Sequence, residues 1–345
     1  MQIYLSKEIE AQILEFCKEK EFTNVYISCG LLGEKKPLLQ YTCGNQTDVY
    51  DLASLTKALV TVPLVLDASL WSMGNLQKSI EEWIGSYLAS GLHKRLKKIT
   101  LLELLTHRSG LPAWSNFWTL CQSRKTTEVN QQTPEFLLKR FNYIAAESWD
   151  EKKPYCYSDI GYILLGWCLE KVKKERLDDL FKSFCKKINI SSDCEIGFAC
   201  GLNKDLAVTT VDYCPVRRKR IKGEVHDENC SFLGGVSGHS GAFASGESLS
   251  LYLNQFLSSI VVDKFIQNPN VFLPGWQRPN LTSYGFASKD SLGHFGFTGT
   301  SFFYWPQKRA YAVLLCNRTH TRRLSLGVNI LRKQVYTSLS KQFSQ

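Results

Sequence analysis

Apolar and charged positions alternate with a helical period through MQIYLSKEIEAQILEFCKEKEF, which predicts an amphipathic helix over residues 1–19. Two short runs follow, TNVYISCG at 23–30 and PLLQYT at 37–42, split by the turn-rich LLGEKK. They read as a β-hairpin leading toward Ser54. From about residue 58 to 210 the pattern is mostly helical. NLQKSIEEWIGSYL, ITLLELLTH, SDIGYILLGWCLEKV and ERLDDLFKSFCKKI space their apolar residues for one helix face, and TPEFLLKRFNYIAA opens with a Thr-Pro helix start. Residues 234–246, GGVSGHSGAFASG, are rich in Gly and Ser, and the helical ESLSLYLNQFLSSI comes next. The last third returns to strands, SYGFAS, GHFGFTG, SFFYWP and AYAVLLCN, before a closing helix, LSLGVNILRKQVYTSLSK.

Strands at both ends and helices in the middle predict an α+β fold. An antiparallel sheet is made from both termini, flanked by helices, with a mostly helical subdomain inserted. The expectation is a single domain over 1–345, its sheet part drawn from 1–57 and 240–345 and its helical part from 58–239. No internal repeat or low-complexity linker interrupts it.

Composition changes this picture little. The chain has 345 residues, enough for a large core and two subdomains, and is 44% hydrophobic and 21% charged. The net charge of +10 is spread over short clusters such as HKRLKK and RRKR at 217–220. No nucleic-acid motif accompanies them, so solvated faces are the better account and no nucleic-acid partner is expected. No apolar run reaches the ~18–20 residues of a spanning helix. The N-terminal segment lacks the basic and apolar regions of a signal peptide. Twelve cysteines without a C-x-x-C pair fit free thiols in a reducing compartment, and the expected location is cytoplasmic.

The candidate chemistry starts at Ser54-Leu55-Thr56-Lys57. A helix starting near Ser54 points Ser54 and Lys57 the same way, one turn apart. A serine hydroxyl is a poor nucleophile at neutral pH. A lysine within reach can take its proton if burial or a neighbouring cation depresses the lysine pKa. The helix N-terminus adds backbone N–H donors. Tyr157, between the loop EKKPYC and an apolar helix, suits a proton relay. Gly293 to Ser301, GHFGFTGTS, lies between strand-like segments, and its glycines permit close backbone approach. An edge strand there would bond an acyl substrate by strand addition, with His294 near the reacting centre.

Together these pieces resemble the active-site serine hydrolases of the β-lactamase and penicillin-binding-protein superfamily, which carry S-x-x-K, then Y-x-N or S-x-N, then K-T-G or H-x-G. The class C-like branch, with its esterases and D-amino-peptide hydrolases, is the nearer match. LLTHRSGLP (104–112) and GEVHDENCSFLGGVSGHSGAFAS (223–245) are similar to further segments of that branch. The resemblance runs from about residue 45 to 320 and implies a β-lactamase/transpeptidase-like fold. Carried over by position, it implies Ser54 as the acylated nucleophile and Lys57 as its base. Tyr157 matches the second proton-transfer residue, Asp159 the usual Asn, and His294 and Gly296 the ends of the third motif. The backbone N–H groups of Ser54 and Phe297 match the oxyanion hole.

Three positions depart from the pattern. Asp159 loses the amide donor of Asn but still holds a lysine through a charge-assisted bond. His294, mostly neutral near pH 7, anchors a substrate carboxylate less well than lysine. Phe295 replaces a small Thr. The His294 departure favours esters or D-amino-acid amides over lactams. His107, His226 and His239 lack any metal-ligand spacing, so no metal or other cofactor is expected. The expected function is a serine hydrolase acting through an acyl-enzyme on a small-molecule or short-peptide acyl substrate. A non-catalytic binding or scaffold protein on the same fold is the alternative.

Overall fold

The structure, a computed structural model, describes residues 3–67, 73–89, 91–116, 134–147, 155–259, 275–277, 291–321 and 326–344. The expected strand SYGFAS lies outside them. The described residues fall into two compact units, one drawn from 1–55, 185–226 and 242–345, the other from 56–184 and 227–241.

In the first unit the opening helix runs over Lys7–Lys18 rather than from residue 1. Ser6 is the reason: its backbone is extended and its hydroxyl accepts the Ile9 N–H at 3.4 Å, so the helix begins after it. Ile3 and Leu5, read as helical from their spacing, instead precede the helix and pack into the core. The described strands are β1 (Val25–Leu31), β2 (Leu39–Cys43), β3 (Val49–Asp51), β4 (Ile196–Phe198), β5 (Thr209–Cys214), β6 (Lys219–Lys222), β7 (Ala242–Ser245), β8 (Leu292–Phe295), β9 (Ser301–Trp305) and β10 (Ala310–Cys316).

Five of them make an antiparallel sheet in the order β2-β1-β10-β9-β8, with Val25 opposite Cys316 and Leu31 opposite Ala310. Alternate side chains take opposite faces. Val25, Ile27, Ala312 and Leu314 join Ile9, Ile13 and Phe16 of the opening helix and Val328, Leu331, Val335 and Leu339 of the helix Gly327–Ser344. On the other face the helix Gly246–Leu257 meets β1, where the Ser28 and Ser250 hydroxyls lie 2.6 Å apart. The antiparallel sheet flanked by helices is the fold class read from the pattern. The short strands β3, β4 and β7 form a second sheet, and β5 and β6 a hairpin. β4 falls where helix was expected and β7 in the Gly/Ser-rich stretch; three or four residues carry too little periodicity to reveal a strand.

The second unit is built on the helix Asp159–Lys173, whose residues Ile160 to Leu169 are all buried. Ser158 caps it, accepting the Gly161 N–H at 3.0 Å. Thr100 and Glu103 form a capping box at the helix Leu101–Leu105, and Tyr162 donates its hydroxyl to the Leu105 carbonyl at 3.0 Å. After Ser54 the chain turns through a wide π-helical stretch, Lys57–Thr61, into the helix Val62–Asp67. Pro63 accounts for the widening: it has no N–H to donate, and its ring crowds the carbonyl four residues back. Among the described residues no helix is long and apolar enough to cross a membrane.

Candidate active site

The site residues read from the sequence divide between the two units. Ser54, His294, Gly296 and Phe297 belong to the first, and Lys57, Tyr157 and Asp159 to the second.

Ser54 is half-buried at the turn that leaves β3. The turn is held by Asp51, a buried carboxylate. Its Oδ1 accepts the Ala53 N–H at 2.8 Å and its Oδ2 the His226 N–H at 2.6 Å. Ala53 has φ +47°, a left-handed conformation uncommon for a residue with a side chain. The Asp51 bond therefore sustains strained backbone one residue before Ser54. The same segment is tied to the turn after β8: Thr298 Oγ1 donates to the Asp51 carbonyl at 2.6 Å and Thr300 Oγ1 to the Leu52 carbonyl at 3.1 Å.

Gly296 sits where these chains meet. A Cβ there would lie 2.0 Å from Thr300 Oγ1 and 2.6 Å from the Leu52 oxygen, so glycine is required. Its N–H bonds the Thr300 carbonyl at 2.7 Å. Arg332, buried on the helix Gly327–Ser344, donates to the Gly296 and Thr300 carbonyls at 3.0 and 2.6 Å. Its guanidinium also lies 4.9 Å from the Phe295 ring centre. Both ends of the Gly296–Thr300 turn are thereby pinned. Phe297 rides on that turn with 37% of its surface exposed. Its carbonyl accepts from Arg318 Nε at 2.6 Å, and its ring stands 5.4 Å from the ring of His226.

His294 lies on β8 and is 1% exposed. Its Nδ1 is 2.9 Å from the Phe295 carbonyl. A carbonyl only accepts, so Nδ1 carries the hydrogen. β8 is the edge of the five-stranded sheet, but both the N–H and the C=O of Gly293 are bonded to Gln277, at 3.0 and 2.7 Å. Strand addition at Gly293, as the sequence suggested, is therefore already occupied by the chain itself.

In the second unit Lys57 is fully buried. Its Nζ is 2.7 Å from Asp159 Oδ1, donates to the His239 carbonyl at 3.1 Å, and stands 4.9 Å from the centre of the Tyr157 ring. Burial pulls its pKa down, but the charge and bonding of Asp159 and Tyr157 outweigh that, and the net displacement is upward. The Asp159 carboxylate beside Nζ thus favours the ammonium form.

Tyr157 is the residue before the Ser158 cap, at a loop-to-helix junction. His107 backs it, with ring centres 4.5 Å apart. Nδ1 of His107 accepts the Ser158 N–H at 3.0 Å, which anchors the imidazole to the start of that helix. The Gly/Ser-rich loop also finds its role here. A Cβ on Gly238 would come 2.2 Å from the Tyr162 carbonyl oxygen, so the loop lies directly on the 159–173 helix. That approach brings the Gly238 carbonyl to Thr61 Oγ1 at 2.6 Å and the His239 carbonyl to Lys57.

His239 is itself fixed. Its Nε2 is 2.9 Å from Asp227 Oδ1, and its Nδ1 2.9 Å from Ser237 Oγ. Asp227 also caps the helix Glu228–Phe232 through the Cys230 N–H at 2.7 Å. Burial raises the Asp227 pKa, but His239, the Cys230 N–H and the Lys57 charge overcome it and hold the carboxyl well below the usual range. From the sequence, His107, His226 and His239 are weighed as metal ligands, and the family resemblance implies loop support instead. Neither reading singles out Asp51, Asp227 or Arg332. Among the described residues no group of His, Cys, Asp and Glu is arranged to hold a metal ion.

Residues 45–186 match the Beta-lactamase family model. An N-acetylmuramyl-L-alanine amidase of Bacillus subtilis is 28% identical, over 79% of this chain and 68% of its own. A Salmonella gallinarum protein provisionally named D-alanyl-D-alanine carboxypeptidase is 24% identical, over 81% and 72%. A class C β-lactamase from Rhodobacter sphaeroides superposes with a TM-score of 0.65 at 15% identity, covering 98% of this chain and 99% of that one. By this family match over residues 45–186, these relatives and this fold, the chain is similar to the β-lactamase and penicillin-binding-protein superfamily.

Proposed function

We propose that the protein is a serine hydrolase that cleaves an ester or amide through an acyl-enzyme on Ser54. The observation that carries this reading is the setting of Lys57. A fully buried lysine is costly unless a function or a close partner retains it. Here it follows Ser54 by three residues, is paired with Asp159 and stands against Tyr157.

In this reading Ser54 Oγ attacks the substrate carbonyl carbon. Its proton passes to the Tyr157 oxygen, where the ammonium of Lys57 stabilises the negative charge of a phenolate. Lys57 thus serves as a charged relay beside Tyr157 rather than as a neutral base. The backbone N–H groups of Ser54 and Phe297 take the developing oxyanion. The proton then goes to the leaving group as the tetrahedral intermediate collapses. Water attacks the ester on Ser54 by the reverse route and frees the enzyme.

The named activities of the relatives, an N-acetylmuramyl-L-alanine amidase and a D-alanyl-D-alanine carboxypeptidase, support amide substrates, and the second of them supports a D-amino-acid component. His294 in place of lysine gives a carboxylate only a weak anchor, so lactamase activity is expected to be low. The buried, internally bonded His294 is also the observation that favours the second reading, a binding protein without turnover.

Intact mass after a fluorophosphonate and, separately, a labelled penicillin tests the proposal on wild type and Ser54→Ala. A stoichiometric adduct that disappears in the variant is the expected result. Folded wild type that takes up neither probe would overturn it in favour of the binding reading.

A further inference from the structure

We propose that Cys17 and Cys43 are a modification site, a thiol pair set to close into an intramolecular disulfide by exchange with a low-molecular-weight disulfide such as oxidised glutathione. Cys17 is in the last turn of the helix Lys7–Lys18, and Cys43 ends β2, an edge strand of the five-stranded sheet. Their sulfurs are 3.6 Å apart. Both side chains are partly exposed, whereas Cys29, Cys168, Cys185, Cys214, Cys230 and Cys316 are buried. The pair therefore combines two properties that closure needs: mutual contact and access for a small oxidant.

The chemistry balances in two exchanges. A thiolate of the pair attacks one sulfur of oxidised glutathione, forming a mixed disulfide and releasing one glutathione thiolate. The neighbouring cysteine then attacks the protein sulfur of that mixed disulfide, forming the Cys17–Cys43 bond and releasing the second glutathione. Two protein thiols are oxidised, one glutathione disulfide is reduced to two thiols, and the two protons move from protein to glutathione. Burial and the adjacent Cys43 sulfur push the Cys17 thiol up to about 12. Cys17 is thus the poorer first attacker, which leaves Cys43 to open the exchange. The reaction is slow at neutral pH and quickens as the pH rises. The closed bond would tie the end of the first helix to the sheet edge and restrict the unfolded chain across the intervening segment.

The test is peptide mass mapping of the full-length protein after incubation with oxidised glutathione at pH 7 and 9. Cys17→Ser and Cys43→Ser are run alongside. The expected product is a linked pair of peptides carrying Cys17 and Cys43, with the intact mass lower by two hydrogens. It forms faster at pH 9 and melts a few degrees higher than the reduced protein. Cys17→Ser should instead retain a glutathione adduct on Cys43, and Cys43→Ser should take up little glutathione. A persistent glutathione adduct on wild type without closure would overturn the proposal. So would linkage of either cysteine to Cys316, or inertness of the folded protein under conditions that oxidise it once unfolded.

Discussion

Removing Asp159 puts the account of Lys57 at risk. In Asp159→Ala the carboxylate 2.7 Å from Nζ is gone, and the lysine keeps the His239 carbonyl and the face of Tyr157. The lysine then has two options. It stays charged in a fully buried site, which costs about 3–5 kcal/mol once its counter-charge is lost. Otherwise it gives up its proton. From an ordinary lysine pKa that step costs about 5 kcal/mol at pH 7, at about 1.4 kcal/mol per pH unit. The two routes are close in magnitude, so the expected loss at pH 7 is about 3–5 kcal/mol.

Their pH dependence differs. In wild type the folded lysine has a raised pKa, so its contribution is fully present below the unfolded value of 10.5 and is lost only as pH rises through the still higher folded value. Across pH 7–9.5 that term is flat. A neutralised lysine in the variant binds fewer protons than in the unfolded chain, so the variant gains on wild type by up to about 1.4 kcal/mol per pH unit. Urea unfolding of both proteins at pH 7 and 9.5, analysed by linear extrapolation, reads both quantities. A loss below about 1 kcal/mol at pH 7 with no recovery at pH 9.5 would refute the reasoning. Asp159→Asn, which keeps the shape but not the charge, should show the same pH trend.

Other parts of the site give separate expectations. Gly238→Ala drives a methyl into the Tyr162 carbonyl and should cost about 1–3 kcal/mol in thermal or urea unfolding, with slower fluorophosphonate labelling of Ser54 because the His239 carbonyl shifts from Lys57. Arg332→Met leaves the Gly296 and Thr300 carbonyls without their charged donor. It should cost about 2–4 kcal/mol and slow labelling, and Arg332→Lys should recover part of both. Asp227 has a folded pKa below its ordinary 3.8, so its contribution is present above that value and lost as pH falls through the acid range. Acid unfolding monitored by circular dichroism should flatten below about pH 4 in Asp227→Asn.

The legible parts of this chain are those with long periodic runs or a fixed local motif. The helices at 159–173 and 246–257 and the strands β9 and β10 announce themselves through sustained apolar spacing. Ser54, Lys57 and Tyr157 stand out because chemistry places recognisable residues at short spacings. The start of the first helix was misread because Ile3 and Leu5 fit a helical period, and only the Ser6 cap breaks it. Asp51, His107 and Arg332 follow no such spacing. Asp51 acts on backbone groups two residues away and on His226, and Arg332 reaches carbonyls more than thirty residues back. Partners brought together only by the fold leave no pattern along the chain. The Lys57 protonation state was illegible for the same reason, since the balance between burial and Asp159 depends on contact.

The order of strands in the main sheet has a consequence for how the protein is made. β1 pairs with β2 beside it in sequence, but its other neighbour, β10, is encoded far downstream, at Ala310–Cys316. A nascent chain that has released β1 and β2 carries an unpaired strand edge, with Ile27 and Cys29 uncovered, until translation reaches Ala310–Cys316. That interval is a window for wrong pairing with other chains. Sequence-distant pairing of this kind also slows folding. The helix that carries Arg332 emerges later still, so the turn bearing Phe297 acquires its clamp only after β10 has been made. The protein would then depend on chaperone shielding more than its ordinary composition suggests, and the turn that carries Phe297 would be fixed after the rest of the sheet has been sealed.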